Sequence, residues 1–213
     1  TAHIGVIMKF LNFDKVLCLG AHPDDVEYGM LGSMCKFTDT EFDILILSEG
    51  GDFDKSTGKD RQTECENIWN KIDNVNGGFT DVKHVVDHQE DEWVNILESG
   101  GHVSTDYDCI FTLPSEDSHF EHRIVNSMTP ALVRHKKIGI ISYRTPSTLD
   151  NWIPNFYVEI DLDEKIEHLK EFQSQLDKPY FSKKSFRSFH SNYQCFKKSM
   201  KYVELFRVET IYN

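Results

Sequence analysis

Two short stretches of the 213-residue sequence carry residue types that could do chemistry. The first is Leu17-Cys18-Leu19-Gly20-Ala21-His22-Pro23-Asp24-Asp25-Val26-Glu27, an apolar run that ends in a histidine, a proline and two consecutive carboxylates. The second is His119-Phe120-Glu121-His122. His22 and Asp25 are both good ligands for a divalent transition metal. His119 and His122 stand three apart at the start of a predicted helix, so both rings can lie on one face. One of them would complete a two-histidine, one-carboxylate site with positions open for water and substrate. Zinc in such a site lowers the pKa of bound water towards about 7 and polarises a carbonyl oxygen. Asp24 and the remaining histidine then fit the base and the acid that hydrolysis requires. Read singly, each stretch is also compatible with a polar turn in which a carboxylate caps the next helix.

Both stretches must be positioned by a scaffold. The apolar run before His22 reads as a buried strand, and the loop after the carboxyl end of such a strand is where open α/β sheets bind ligands. Pro23 pushes His22 towards an extended conformation. Val26, Met30, Met34 and Phe37 recur at helical spacing, with Gly29 and Gly32 on one side for close approach to the sheet or a ligand. Asp43 to Leu47 is a second strand, ended by Ser48-Glu49-Gly50-Gly51 and a polar loop from Asp52 to Lys59. A helix is expected from about Lys59 to Ile72, carrying Arg61 and Glu64, with a turn at Asn76-Gly77-Gly78. Val82–Val86, Tyr107–Leu113, Ile138–Tyr143 and Phe156–Ile160 read as further strands. Asp87 to Glu92 reads as a solvated loop or helix start. Helical periodicity returns at Ile124–Leu132, at Leu162–Leu176 and at about Ser191–Phe206, the last from Phe196, Met200 and Val203. This alternation predicts an α/β fold, a single Rossmann-like three-layer domain over residues 8–213, with a mostly parallel sheet and helices on both faces.

Composition narrows the function. A formal net charge of −12 disfavours nucleic acid or an anionic membrane as the main partner. Five widely spaced cysteines (Cys18, Cys35, Cys65, Cys109, Cys195) without a C-x-x-C pair read as thiols in a reducing compartment. No apolar stretch approaches a transmembrane length and no signal-peptide profile stands at the N-terminus, so a cytoplasmic protein without membrane insertion is expected. Met8-Lys9-Phe10 would make a natural start, which leaves residues 1–7 as vector-derived or disordered. Homo-oligomerisation is left open.

Ala21-His22-Pro23-Asp24-Asp25 followed by His119-Phe120-Glu121-His122 resembles the PIG-L/LmbE family of zinc-dependent N-deacetylases, which includes de-N-acetylases of N-acetylglucosaminyl inositol and malate conjugates. The α/β order, the Ser48-Glu49-Gly50-Gly51 turn and the Arg61-x-x-Glu64 pair extend the resemblance over most of the chain. It implies that His22, Asp25 and His122 bind zinc, with iron(II) or another divalent ion as alternatives. It further implies that Asp24 is the general base, that His119 stabilises the oxyanion and that Arg61 faces the substrate. One departure is Glu121, where the family usually has Asp, which puts the partner of His119 in question.

The expected function is removal of an N-acetyl group from an N-acetylated amino sugar or sugar conjugate, giving acetate and a free amine. Two alternatives use the same ligands: a non-haem iron(II) enzyme, and a catalytically silent carbohydrate-binding protein. Arg144 could hold a sugar hydroxyl, phosphate or carboxylate, or form a surface salt bridge. Trp152 and Pro179-Tyr180-Phe181 could wall a sugar pocket by stacking, or serve as core and lid. Lys183, Lys184 and Arg187, interleaved with Phe186 and Phe189, read as a solvated or phosphate-facing loop.

Overall fold

A computed structural model describes residues 9–50, 58–103, 106–191 and 201–212. The apolar run before His22 forms β1 (Lys15–Gly20), which is buried along almost its whole length. Its parallel neighbours are β2 (Glu41–Ile46) on one side and β4 (Cys109–Thr112) on the other. Outside these lie β3 (Val75–Phe79), parallel to β2, and β5 (Gly139–Tyr143), parallel to β4. β7 (Val203–Thr210) runs antiparallel between β5 and β6 (Phe156–Glu159). The order β3-β2-β1-β4-β5-β7-β6 reverses its direction of winding between β1 and β4. Loops leaving these two strands therefore diverge to opposite faces and open a crevice between them.

Helices α1 (Asp25–Lys36), α2 (Gly58–Trp69), α3 (Glu90–Ser99), α4 (Phe120–Val133), α5 (Leu162–Leu169) and α6 (Lys183–His190) cover the sheet. α1 packs on α5, and α3 on α4. Gly29 of α1 lies against the Tyr143 ring and Arg144 backbone, so the helix approaches β5 closely because no Cβ stands between them. The expected α/β class, the mostly parallel sheet and the single Rossmann-like core are observed.

Four local expectations are corrected. The third strand is Val75–Phe79, not 82–86; Val85–Asp87 forms a single 3-10 turn. The Asn76-Gly77-Gly78 sequence lies inside that strand because the Trp69 indole occupies the space a side chain at 77 would need and stacks on Phe79. The expected last helix is β7 where it is described; Phe196 and Met200 lie outside the described residues. Lys183–His190 is not a loop but an amphipathic helix, capped by Ser182 and anchored by Phe186 and His190. The reading of residues 1–7 falls outside the described residues. Cys18, Cys65 and Cys109 are buried free thiols and Cys35 is half-buried. No helix of the described residues is long and apolar enough to cross a membrane.

Candidate metal centre and active-site cavity

The chain leaves β1 at Gly20 and turns through Ala21–Asp24 before α1 begins. Asp24 takes a φ of 112°, a conformation that costs a non-glycine residue of order 1–3 kcal/mol and must be held by its surroundings. Several bonds hold it. The Asp24 carbonyl accepts from Tyr28 N (2.8 Å), and Arg61 Nη2 lies 2.9 Å from Asp24 Oδ1. Arg61 also donates to the carbonyls of Pro23 and Gly50. Gly50 has a φ of +64° and a Cβ there would run into Pro23, so the turn after β2 needs glycine to close on the loop after β1. Ser48 Oγ donates to Ala21 O (2.7 Å), tying the same two loops together.

Asp25, the first residue of α1, turns back on this loop. Its Oδ2 accepts from Ala21 N (3.1 Å) and His22 N (2.8 Å), and lies 3.4 Å from His22 Nδ1. Its Oδ1 lies 3.2 Å from His122 Nε2. Thus α1 contributes one carboxylate that faces His22 from the loop after β1 and His122 from the first turn of α4. His119 caps α4 and His122 sits one turn inside it, so the helix start carries both rings to the crevice. Donor atoms of His22, His119 and His122 lie within 4.8 Å of one another. A second convergence, Cys35 with Glu164 and His168, lies on α1 and α5 outside this cavity.

The far nitrogens of two rings are held by carboxylates. His122 Nδ1 lies 3.2 Å from Asp117 Oδ2, and His22 Nε2 lies 2.5 Å from Glu121 Oε2. Asp117 is itself fixed: Oδ1 accepts from His119 N (2.8 Å) and Oδ2 accepts from Thr145 Oγ1 (2.9 Å). Glu121 Oε1 accepts from Val86 N (3.2 Å). His119 differs, since its Nδ1 is buried with no hydrogen-bond partner among the described residues.

Electrostatics follow from this packing. Burial opposes charge on His122, but Asp25 and Asp117 outweigh it and push the pKa up to about 10. Burial likewise opposes charge on Asp25, yet His122 and His22 hold its carboxyl well below the usual range. Asp24 goes the other way: burial dominates, Arg61 opposes, and the pKa rises to about 6. Burial, helped by His22 and His122, lowers the pKa of His119 and favours its neutral form.

These residues fit a divalent cation. The site strongly stabilises positive charge between Asp25, His22 and His122. Ligand-type nitrogens of three histidines converge within 4.8 Å of one another beside the Asp25 carboxylate, a nitrogen and oxygen donor set of the kind a divalent transition metal takes.

A cavity of about 370 Å³ opens over this cluster, lined by Asp24, Arg61, His119 and, on its far wall, by Tyr28, Gln175, Lys178 and Tyr180. Tyr28 OH donates to Tyr180 O (3.0 Å), joining α1 to that wall. The five residues of the expected ligand, base and acid set, together with Arg61, meet here. Arg144 and Trp152 do not line the cavity. Arg144 lies over the Phe189 ring at 4.4 Å, and Trp152 is buried with Val203 and Leu205, its Nε1 donating to Ser142 Oγ. Tyr180 is the member of the Pro179-Tyr180-Phe181 segment that reaches the cavity, while Phe181 is core. Asp117 escaped the sequence reading; its only signal is a carboxylate just ahead of a helix start, which capping also explains.

Fold and site together define a Rossmann-like α/β protein with a histidine- and carboxylate-lined cavity at the crossover point of its parallel strands. A family model, PIG-L: GlcNAc-PI de-N-acetylase, matches residues 17–133, more than half of the sequence, and the chain belongs to that family. No curated protein matches the chain. Among solved structures it is similar to N,N′-diacetylchitobiose deacetylase from Pyrococcus horikoshii, with a TM-score of 0.71 and 21% identity over 96% of this chain and 87% of that one. It is similar to the A40926 pseudoaglycone deacetylase Dbv21 (TM-score 0.69, 11% identity, 92% and 96% covered). It is also similar to GalB, the 4-carboxy-2-hydroxymuconate hydratase from Pseudomonas putida KT2440 (TM-score 0.68, 12% identity, 94% and 98% covered). At such identities these likenesses establish the fold alone.

Proposed function

We propose that the protein is a zinc-dependent hydrolase that removes the N-acetyl group from an N-acetylated amino sugar or sugar conjugate. His22, Asp25 and His122 are the metal ligands, Asp24 is the general base and His119 the oxyanion donor. The observation that carries the reading is the pairing of each histidine ligand with a carboxylate on its far nitrogen. Such a partner fixes ring orientation and raises ligand basicity. His119 lacks one, which sets it apart from the ligands although it lies equally close. The PIG-L family membership and the deacetylases among the structural neighbours support the reaction class.

A divalent ion held there supplies a Lewis acid for the attacking water and the amide carbonyl. Asp24 takes the water proton; its partner Arg61 keeps the carboxylate oriented and lines the cavity beside the substrate. Neutral His119 donates to the developing oxyanion, and its burial strengthens that bond. The proton held by Asp24 then passes to the departing amine, which leaves with acetate as the second product. Tyr180, half-buried on the cavity lining, gives the sugar an aromatic surface.

The test is acetate release from a panel of N-acetylated sugars, nucleotide sugars and glycosides. Hydrolysis is expected without oxygen, to stop on chelation and to return with zinc. An oxygen requirement would favour the iron(II) alternative, and binding without turnover across the panel the silent one. GalB shows that this fold also carries a hydratase, so an enol or alkene substrate belongs in the panel.

A further inference from the structure

We infer that Glu121 is a positioning residue for the metal ligand His22, and that the length of its side chain is what lets it span the crevice to that ring. The inference rests on the metal site proposed above. Glu121 occupies the second residue of α4, between His119 and His122, yet its carboxylate serves neither. One oxygen reaches across the crevice to His22 Nε2 at 2.5 Å, and the other accepts from Val86 N in the 3-10 turn at 3.2 Å. The side chain is 8% exposed, so this is no solvent-facing ion pair. A carboxylate can only accept here, so the ring hydrogen of His22 sits on Nε2 and Nδ1 is turned to Asp25. The arrangement repeats on the opposite side, where Asp117 holds His122 Nδ1 and leaves Nε2 facing Asp25.

Each histidine ligand is thus held from behind by a carboxylate of the β4–α4 segment, and His119 is left with an unpartnered Nδ1. Changes at 121 should therefore act on the metal, not on His119. Purified protein stripped of metal is titrated with zinc against a chromophoric chelator, and its cobalt(II) form is read by visible absorption. Glu121→Gln is expected to weaken zinc binding about 10–100-fold and to alter the cobalt spectrum. Glu121→Asp, which keeps the charge but not the reach, is expected to weaken binding similarly. If Glu121→Gln fails to fold, Glu121→Asp decides. Wild-type affinity and an unchanged cobalt spectrum in the folded variants would overturn the inference and leave the function proposal standing. A wild-type protein that takes up neither zinc nor cobalt would overturn both.

Discussion

Asp24 and Asp25 are adjacent, equally buried and of one residue type, yet their surroundings drive them apart. Asp25 is paired with two histidines and held well below the usual range, whereas Asp24 faces one arginine and rises to about 6. A ligand must stay ionised; a base must be able to accept a proton near neutrality. Asp24→Asn should therefore retain zinc and lose about 10²–10⁴-fold in kcat; undiminished turnover with zinc in place would remove Asp24 from the role. Arg61 sets where this base works. The base is active only when ionised, so kcat/KM should fall as pH drops through about 6. Arg61→Met removes the cation that favours the ionised form, so that limb of the pH–rate profile should move to higher pH. At the histidines, His122→Ala should lower metal content far more than His119→Ala, and elemental analysis giving the reverse would exchange their roles. The contact residues of this site were legible because ligand-type side chains stood next to strand ends. What holds them was not. Asp117 and Glu121 act only once α4 is folded against β1, and no local spacing announces a carboxylate that reaches across a crevice.

The loop between β4 and α4 carries Asp117, and an ion pair ties it to β7. Glu116 accepts from Arg207 Nη1 at 2.8 Å and from Nη2 at 2.9 Å, a two-pronged contact from strand to loop. The Arg207 bonds lower the Glu116 pKa from its ordinary 4.5 to about 2. A carboxyl depressed on folding adds stability that is complete above the unfolded value and is lost as pH falls through the folded one. Glu116→Gln should therefore melt at a lower temperature than wild type at neutral pH, with the gap closing as pH falls from 4.5 towards 2. A gap that persists in acid would mean the residue works through packing instead. β7 itself shows why element type was misjudged from sequence. Val203, Glu204, Leu205 and Phe206 are all buried, because the strand lies inside the sheet with both faces covered. Such a strand does not alternate, and Val203 happens to continue a helical spacing with Phe196 and Met200. β1, β2 and β5 were legible because each is an apolar run closed by turn residues. β3 was not, since its Gly77 answers to Trp69, a residue from another element.

One buried ion pair joins the helical layer to the sheet. Lys165 of α5 and Glu204 of β7 are both fully enclosed, with side-chain exposures of 0%. Lys165 Nζ also donates to Tyr28 O (2.6 Å), and Glu204 accepts from Gly32 N (2.8 Å), Ser33 N (2.7 Å) and Ser33 Oγ (2.5 Å). The pair therefore fixes α1, whose first turn carries Asp25, to both α5 and β7. Burial lowers the lysine's pKa and Glu204 opposes that, so the two charges depend on each other. Lys165→Met keeps the volume and removes one charge, leaving Glu204 enclosed without its cation. A broken buried pair costs about 3–5 kcal/mol. For a chain of this size that corresponds to a fall in melting temperature of roughly 6–20 °C. Lys165→Met/Glu204→Gln should recover part of the loss, because the second change removes the stranded charge while its amide still accepts from Ser33. Denaturant unfolding of the four proteins gives the coupling directly. Strictly additive losses would show that the two side chains are held independently of each other, each through its own bonds to α1.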